Sequence, residues 1–156
     1  MNRRFQVREE MKKMGLDKEP VRLTYALRMA KEYYKPETYV HALRVMQYVA
    51  DNETIPYEYQ EDCLALAVMH DLLEDTDYPG GCELGENFSN ALDLLTKPKD
   101  KAYIEYIKDI KDTRHTNWRM CAWWVKLADM KDHLAQTDTL TDKLKEKYLA
   151  ALPYLL

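Results

Sequence analysis

Glycine is scarce in this 156-residue chain, occurring only four times. That suits a helical protein and leaves no glycine-rich loop to cradle a phosphate. Pro79-Gly80-Gly81 is the one strong break. Cysteine is scarce too. Cys63, Cys82 and Cys121 are odd in number and far apart, matching neither a disulfide framework nor a CxxC zinc pattern. A reducing cytoplasm is therefore the expected setting. No apolar run approaches eighteen residues, which excludes a helical membrane span. The opening residues, Met1-Asn2-Arg3-Arg4-Phe5-Gln6, lack the apolar stretch of a signal peptide. Positive charge is in deficit: the formal net charge is −4. This argues against broad nucleic-acid binding. A small phosphorylated substrate stays open, because a bound metal ion can supply local positive charge.

What is present is helical periodicity nearly throughout, in a length that fits one domain, 1–156, with a real core. The pattern predicts an all-α bundle of about seven to eight helices. A short charged helix over about 3–14 is stopped by Gly15-Leu16-Asp17, with Asp17 placed to cap the next. Leu23, Leu27 and Ala30 mark a helix to about Tyr34, and Pro36 opens another to about Ala50. Asn52 to Pro56 is a turn. The stretch from about Tyr57 to Leu73 is apolar on several sides, as a central buried helix should be. A loop from Asp77 to Glu86 leads to a short helix, Phe88 to Leu95. Lys97-Pro98 opens another to about Ile110, and Lys111 to Thr116 is a polar linker. A long helix runs from about Asn117 to Ala135, Thr137-Asp138-Thr139 breaks it, and Leu140 to Leu156 closes the bundle. There is no strand-like alternation and no internal repeat. Most of the twelve tyrosines fall at helix ends. There a ring can bury while its hydroxyl stays wet, so they read first as packing.

Chemistry concentrates at His70-Asp71. Adjacent helical residues point about 100° apart, so the pair can grip an ion only from a helix edge. Glu74 follows His70 by four residues and Asp75 follows Asp71 by four, so each pair shares a face. Three carboxylates and an imidazole in six residues repel one another and are costly to bury without a cation. An exposed acidic helix end is the plain alternative. His41 lies among Leu43, Val45 and Val49, where a lone histidine is more often structural than a ligand. Asp129 sits inside the apolar face of Lys126-Leu127-Ala128-Asp129-Met130, with His133 one turn later. A carboxylate there needs a partner, either a salt bridge to Lys126 or a metal.

Together, His41, His70-Asp71 and Asp129 resemble the H…HD…D pattern of the HD-domain metallophosphohydrolases. Met69-His70-Asp71-Leu72-Leu73-Glu74-Asp75-Thr76 resembles the HDxxEDT segment of the RelA/SpoT-type alarmone hydrolases. Val125-Lys126-Leu127-Ala128-Asp129 resembles their KLAD segment, and Leu94-Leu95-Thr96-Lys97 their short "lTK" helix end. The resemblance covers about Ala26 to Leu134. The chain departs from the pattern at His133, where the family usually has Asn. It departs again at Lys131-Asp132, where a His is usual. The family's basic stretch before the first His is shortened here to Tyr33-Tyr34-Lys35-Pro36-Glu37. Nothing like the family's synthetase domain follows up to Leu156, so if the chain is an alarmone enzyme the expected likeness is to the small stand-alone hydrolases.

The resemblance implies an HD-domain fold. In it, His41, His70, Asp71 and Asp129 would hold one divalent ion, Mn²⁺ by preference, with Fe²⁺, Zn²⁺ or Co²⁺ also suited to imidazole and carboxylate ligands. Glu74 and Asp75 would orient or deprotonate the attacking water. Lys126, His133, Arg44 and Lys97 are candidates for substrate binding, with salt bridges as the alternative for the three cations. The implied reaction is release of pyrophosphate from the 3′ position of a ppGpp-like nucleotide. The residues alone say only metal-assisted phosphoester or phosphoanhydride hydrolysis. Two other readings share these residues: an HD-type nucleotidase or phosphodiesterase acting on other nucleotides, and a non-catalytic helical module that binds metal or nucleotide.

Overall fold

Proline is tolerated at the start of a helix, where the N–H it lacks would have no partner and its fixed φ is already helical. Pro36 takes that position behind an extended Lys35. The residue before a proline avoids the helical region, so the preceding helix has to end there. The chain is described here from a computed structural model covering residues 21–80, 83–114 and 117–156. These two helices are α1, Val21–Tyr33, and α2, Pro36–Ala50. Then follow α3, Tyr57–Met69; a single turn α4, Leu72–Asp75; α5, Glu86–Leu94; α6, Tyr103–Asp112; α7, Asn117–Ala135; and α8, Asp142–Leu155. The regular elements among the described residues are thus all helical, seven helices and one isolated turn with no strand, as the periodicity predicts. The expected helix over 3–14, its stop, the Asp17 cap, Gly81, Cys82 and the end of the expected linker at His115-Thr116 lie outside the described residues.

The most apolar segment is the centre of the bundle. On α3, Cys63, Ala65, Leu66, Ala67, Val68 and Met69 are all buried, and the helix packs against α1, α2, α5 and α7. Val45 and Val49 of α2 and Val125 and Met130 of α7 close around it. Each such side chain contributes about 1.5–3 kcal/mol by leaving water. On the other flank α6 and α8 pack together and against α7. There Ile107, Ile110 and Leu155 are fully buried. The Thr141 hydroxyl caps α8 by accepting from the Leu144 N–H at 3.2 Å. Trp123 ties its far end by donating Nε1–H to the Leu155 carbonyl at 2.8 Å. No helix among the described residues is long and apolar enough to cross a membrane.

Three expectations are corrected. The helix expected to run unbroken from Tyr57 to Leu73 is interrupted at His70-Asp71 and resumes only as α4. The helix expected to open at Lys97-Pro98 starts instead at Tyr103 and runs on to Asp112, into the expected linker. The reason is tertiary: the Glu74 carboxylate accepts the Lys97 N–H and holds residue 97 against α4. Several tyrosine hydroxyls are not wet. Tyr34 donates to the Val68 carbonyl at 2.7 Å and Tyr106 to the Leu95 carbonyl at 2.5 Å, both buried. Cys63 and Cys121, far apart in sequence, are both buried free thiols. Their mutual hydrogen bond, with burial, raises the Cys63 pKa.

Candidate metal centre

The site begins with the break after α3. In an unbroken helix the Val68 carbonyl would accept from the Leu72 N–H. Here the Tyr34 hydroxyl takes that carbonyl and in turn accepts the Asp71 N–H at 3.2 Å. Asp71 is released into the bridge region, at φ −99° and ψ 0°. The adjacent His70 and Asp71 can then reach one point, with His70 Nε2 and Asp71 Oδ2 3.2 Å apart. The helical rule that separates neighbouring side chains by about 100° no longer applies. Residues His41 and Arg44 of α2, one helical turn apart, face Asp129 and Asp132 of α7, again one turn apart.

Four of these groups converge. His41, His70, Asp71 and Asp129 each bring one ligand atom to within 4.8 Å of all the others. Asp129 Oδ1 lies 2.9 Å from His41 Nε2 and 3.1 Å from His70 Nε2. Both imidazoles are oriented from behind. His70 Nδ1 is 2.6 Å from the Ala67 carbonyl, which can only accept, so Nδ1 carries the hydrogen. His41 Nδ1 is 2.6 Å from Asp132 Oδ2, in a carboxylate that also accepts from Arg44 Nε. That nitrogen is a donor as well. Both Nε2 atoms therefore point at carboxylate oxygens with either a second proton or a lone pair. Lone pairs facing carboxylates at such distances need a cation between them, so the donor set fits a divalent metal.

Without an ion, the imidazoles themselves supply positive charge to the carboxylates. Burial raises the Asp129 pKa, but Lys126, His70, His133 and His41 outweigh it and hold it well below the usual carboxylate range. Burial works against charge on His70, yet Asp71 and Asp129 raise its pKa well above the ordinary imidazole value. For His41, Asp129 and Asp132 likewise overcome burial, set against repulsion from His70. Asp71 is lowered, with His70 overcoming burial. The cluster strongly favours charge balance between its carboxylates and whatever cation faces them.

The remaining expected residues divide. Lys126 is buried and donates to Asp129 Oδ2 at 2.8 Å. The two carboxylate oxygens thus do separate things: one takes the salt bridge and the other faces the imidazoles. His133 joins the cluster, 3.1 Å from Asp129 Oδ1. Its ring stacks on that of Tyr148, at 4.8 Å, and meets that of His41 at a tilt, at 4.6 Å. Arg44 is committed to Asp132. Lys97 Nζ donates to the Pro98 and Lys101 carbonyls. Exposed Glu74 holds the Lys97 backbone. Asp75, also exposed, has its pKa raised by burial and by the charges of Asp71 and Glu74. Sequence reasoning missed Asp132, which is wholly buried. The signal lay in spacing: Asp132 follows Asp129 by the same three residues that separate Arg44 from His41.

No model of a known protein family matches this chain, and no curated protein matches it. The all-helical bundle and its two-histidine, two-aspartate cluster carry the functional reading.

Proposed function

We propose that this chain is a metal-dependent phosphohydrolase of the HD-domain type, and that its reaction is the release of pyrophosphate from the 3′ position of a ppGpp-like nucleotide. The observation that carries the reading is the convergence of four ligand atoms within 4.8 Å from three separate segments of the chain. In this reading His41 and His70 present their Nε2 lone pairs, and Asp71 and Asp129 present their charge, to one divalent ion. The mixed donor set suits Mn²⁺, with Fe²⁺, Zn²⁺ and Co²⁺ also compatible. When bound, such an ion supplies a Lewis acid and a water of lowered pKa. Asp75, exposed beside the cluster with a raised pKa, is the carboxylate best suited to hold or take a proton from water. Glu74 acts by fixing Lys97 and the α5–α6 connection at the rim. The substrate part of the proposal rests on the HDxxEDT and KLAD resemblances of Met69–Thr76 and Val125–Asp129.

A second reading, hydrolysis of simpler nucleotides, is favoured by one observation. His133 occupies the cluster where the alarmone hydrolases usually have Asn. One experiment separates the two. Purified protein is assayed with Mn²⁺ against ppGpp, NADPH, deoxynucleoside monophosphates and cyclic dinucleotides, reading phosphate and pyrophosphate. Pyrophosphate from ppGpp is expected, and Asp129→Ala should lose both bound metal and turnover. Phosphate released only from monophosphates supports the second reading. Undiminished activity in excess chelator overturns both.

A further inference from the structure

Two cations, Lys147 of α8 and Lys126 of α7, approach one aromatic ring, that of Tyr103. Lys147 stands over the Tyr103 ring at 4.3 Å. The same ring carries Lys126, at 5.7 Å, which is bound to Asp129. Two ammonium groups therefore meet one aromatic ring, and one of them, Lys126, is bound to the cluster's Asp129. Tyr148, next to Lys147, stacks on His133, which touches Asp129. That chain of contacts runs from Lys147 to the cluster.

Lys147 is exposed and makes no ion pair or hydrogen bond among the described residues; its contacts are with the Tyr103 and Tyr148 rings. Burial and the charges of Lys126 and Lys97 lower its pKa, only partly offset by Glu74 and Asp129. An ammonium held among other ammoniums is poised for an anion that the protein itself does not supply. A second observation points to the same place. The Tyr103 hydroxyl oxygen is buried with no well-formed hydrogen bond, a condition that among the described side chains falls on this atom alone, and its polar neighbour is the Lys126 ammonium. A native buried hydroxyl left unsatisfied marks a spot where a water, ion or ligand completes the set.

We infer that Lys147 is a specificity-determining residue which receives a second phosphoryl group while the first lies at the His41/His70/Asp71/Asp129 cluster. The ligand class is a compound with two linked phosphoryl groups, and a monophosphate leaves Lys147 without a partner. This rests on the phosphohydrolase reading above and adds a residue to it. A charge-assisted hydrogen bond to an ammonium discriminates by about tenfold or more.

The test uses the whole chain loaded with Mn²⁺, with inorganic pyrophosphate and inorganic phosphate as probes in calorimetric titrations. The unsubstituted protein should bind pyrophosphate more tightly than phosphate. Lys147→Gln should lose most of that preference, about tenfold, with metal content unchanged, and Lys147→Arg should restore it. If Lys147→Gln binds metal normally and keeps the full preference, Lys147 has no such role while the metal reading stands. If the unsubstituted chain takes up no metal, the phosphohydrolase reading falls and this inference falls with it.

Discussion

His41 meets a carboxylate on each ring nitrogen. Asp132 holds Nδ1 at 2.6 Å and Asp129 faces Nε2 at 2.9 Å. Only one of these is a ligand in the proposed site. Asp132 fixes the tautomer and the ring plane, and is itself fixed by Arg44. Outer carboxylates of this kind typically change metal affinity 10–100-fold. Asp132→Asn should therefore weaken Mn²⁺ binding by about that factor and leave the helical circular-dichroism spectrum unchanged. Unaltered affinity would remove Asp132 from the site. At this scale the sequence left Asp129 undecided between Lys126 and a metal, since an isolated carboxylate offers no reason to choose. The structure uses both oxygens, Oδ2 for Lys126 and Oδ1 for the imidazoles. Asp132 was overlooked because its spacing from Asp129 acquires meaning only once α2 crosses α7 and buries its carboxylate against His41 and Arg44.

At the scale of elements, the break between α3 and α4 brings His70 and Asp71 to one point. It depends on a hydroxyl from the end of α1, that of Tyr34, which satisfies the Val68 carbonyl and the Asp71 N–H. Tyr34→Phe leaves two backbone groups short of a partner in a buried setting, at about 1–3 kcal/mol for each one not rescued by water. Urea unfolding should show a loss in that range. Mn²⁺ affinity should fall with it, because Asp71 loses its fixed backbone. A stability loss with metal affinity intact would make Tyr34 a packing residue only. The sequence marked α3 correctly as the apolar-all-round central helix. It gave no sign of the break, because Leu72 and Leu73 continue the apolar pattern and the interrupting group comes from position 34.

For the whole molecule, the charged cluster ties stability to pH. With no ion bound, Asp71 and Asp129 have folded pKa values below the ordinary carboxyl value of 3.8. Their contribution is present above that value and is lost as pH falls through the folded values. His41 and His70 have folded pKa values above the ordinary 6.5. Their contribution is complete below 6.5 and is lost as pH rises through the folded values. The metal-free protein should thus be most stable to heat between pH 3.8 and 6.5 so far as this cluster decides it. Melting temperatures measured in chelator across pH 3–9 check this. A metal-free optimum well above pH 7 would mean that the imidazoles are not held protonated by Asp71 and Asp129.

The sequence by itself determined the all-helical class, most helix limits and the central place of α3. Those follow from local periodicity, from proline's fixed φ at Pro36 and from the apolar surround of Leu64–Met69. It also singled out His41, His70, Asp71 and Asp129 as belonging together. Only the tertiary structure decided how they meet. Convergence requires the Tyr34 hydroxyl to end α3 and α2 to lie across α7. It also requires Asp132, Lys126 and the Ala67 carbonyl to orient the facing groups. Those contacts join residues 34 to 91 positions apart in sequence, apart from the local ones of Ala67 and Lys126. They exist because burying the apolar faces of α2, α3 and α7 forces their few polar groups to find one another.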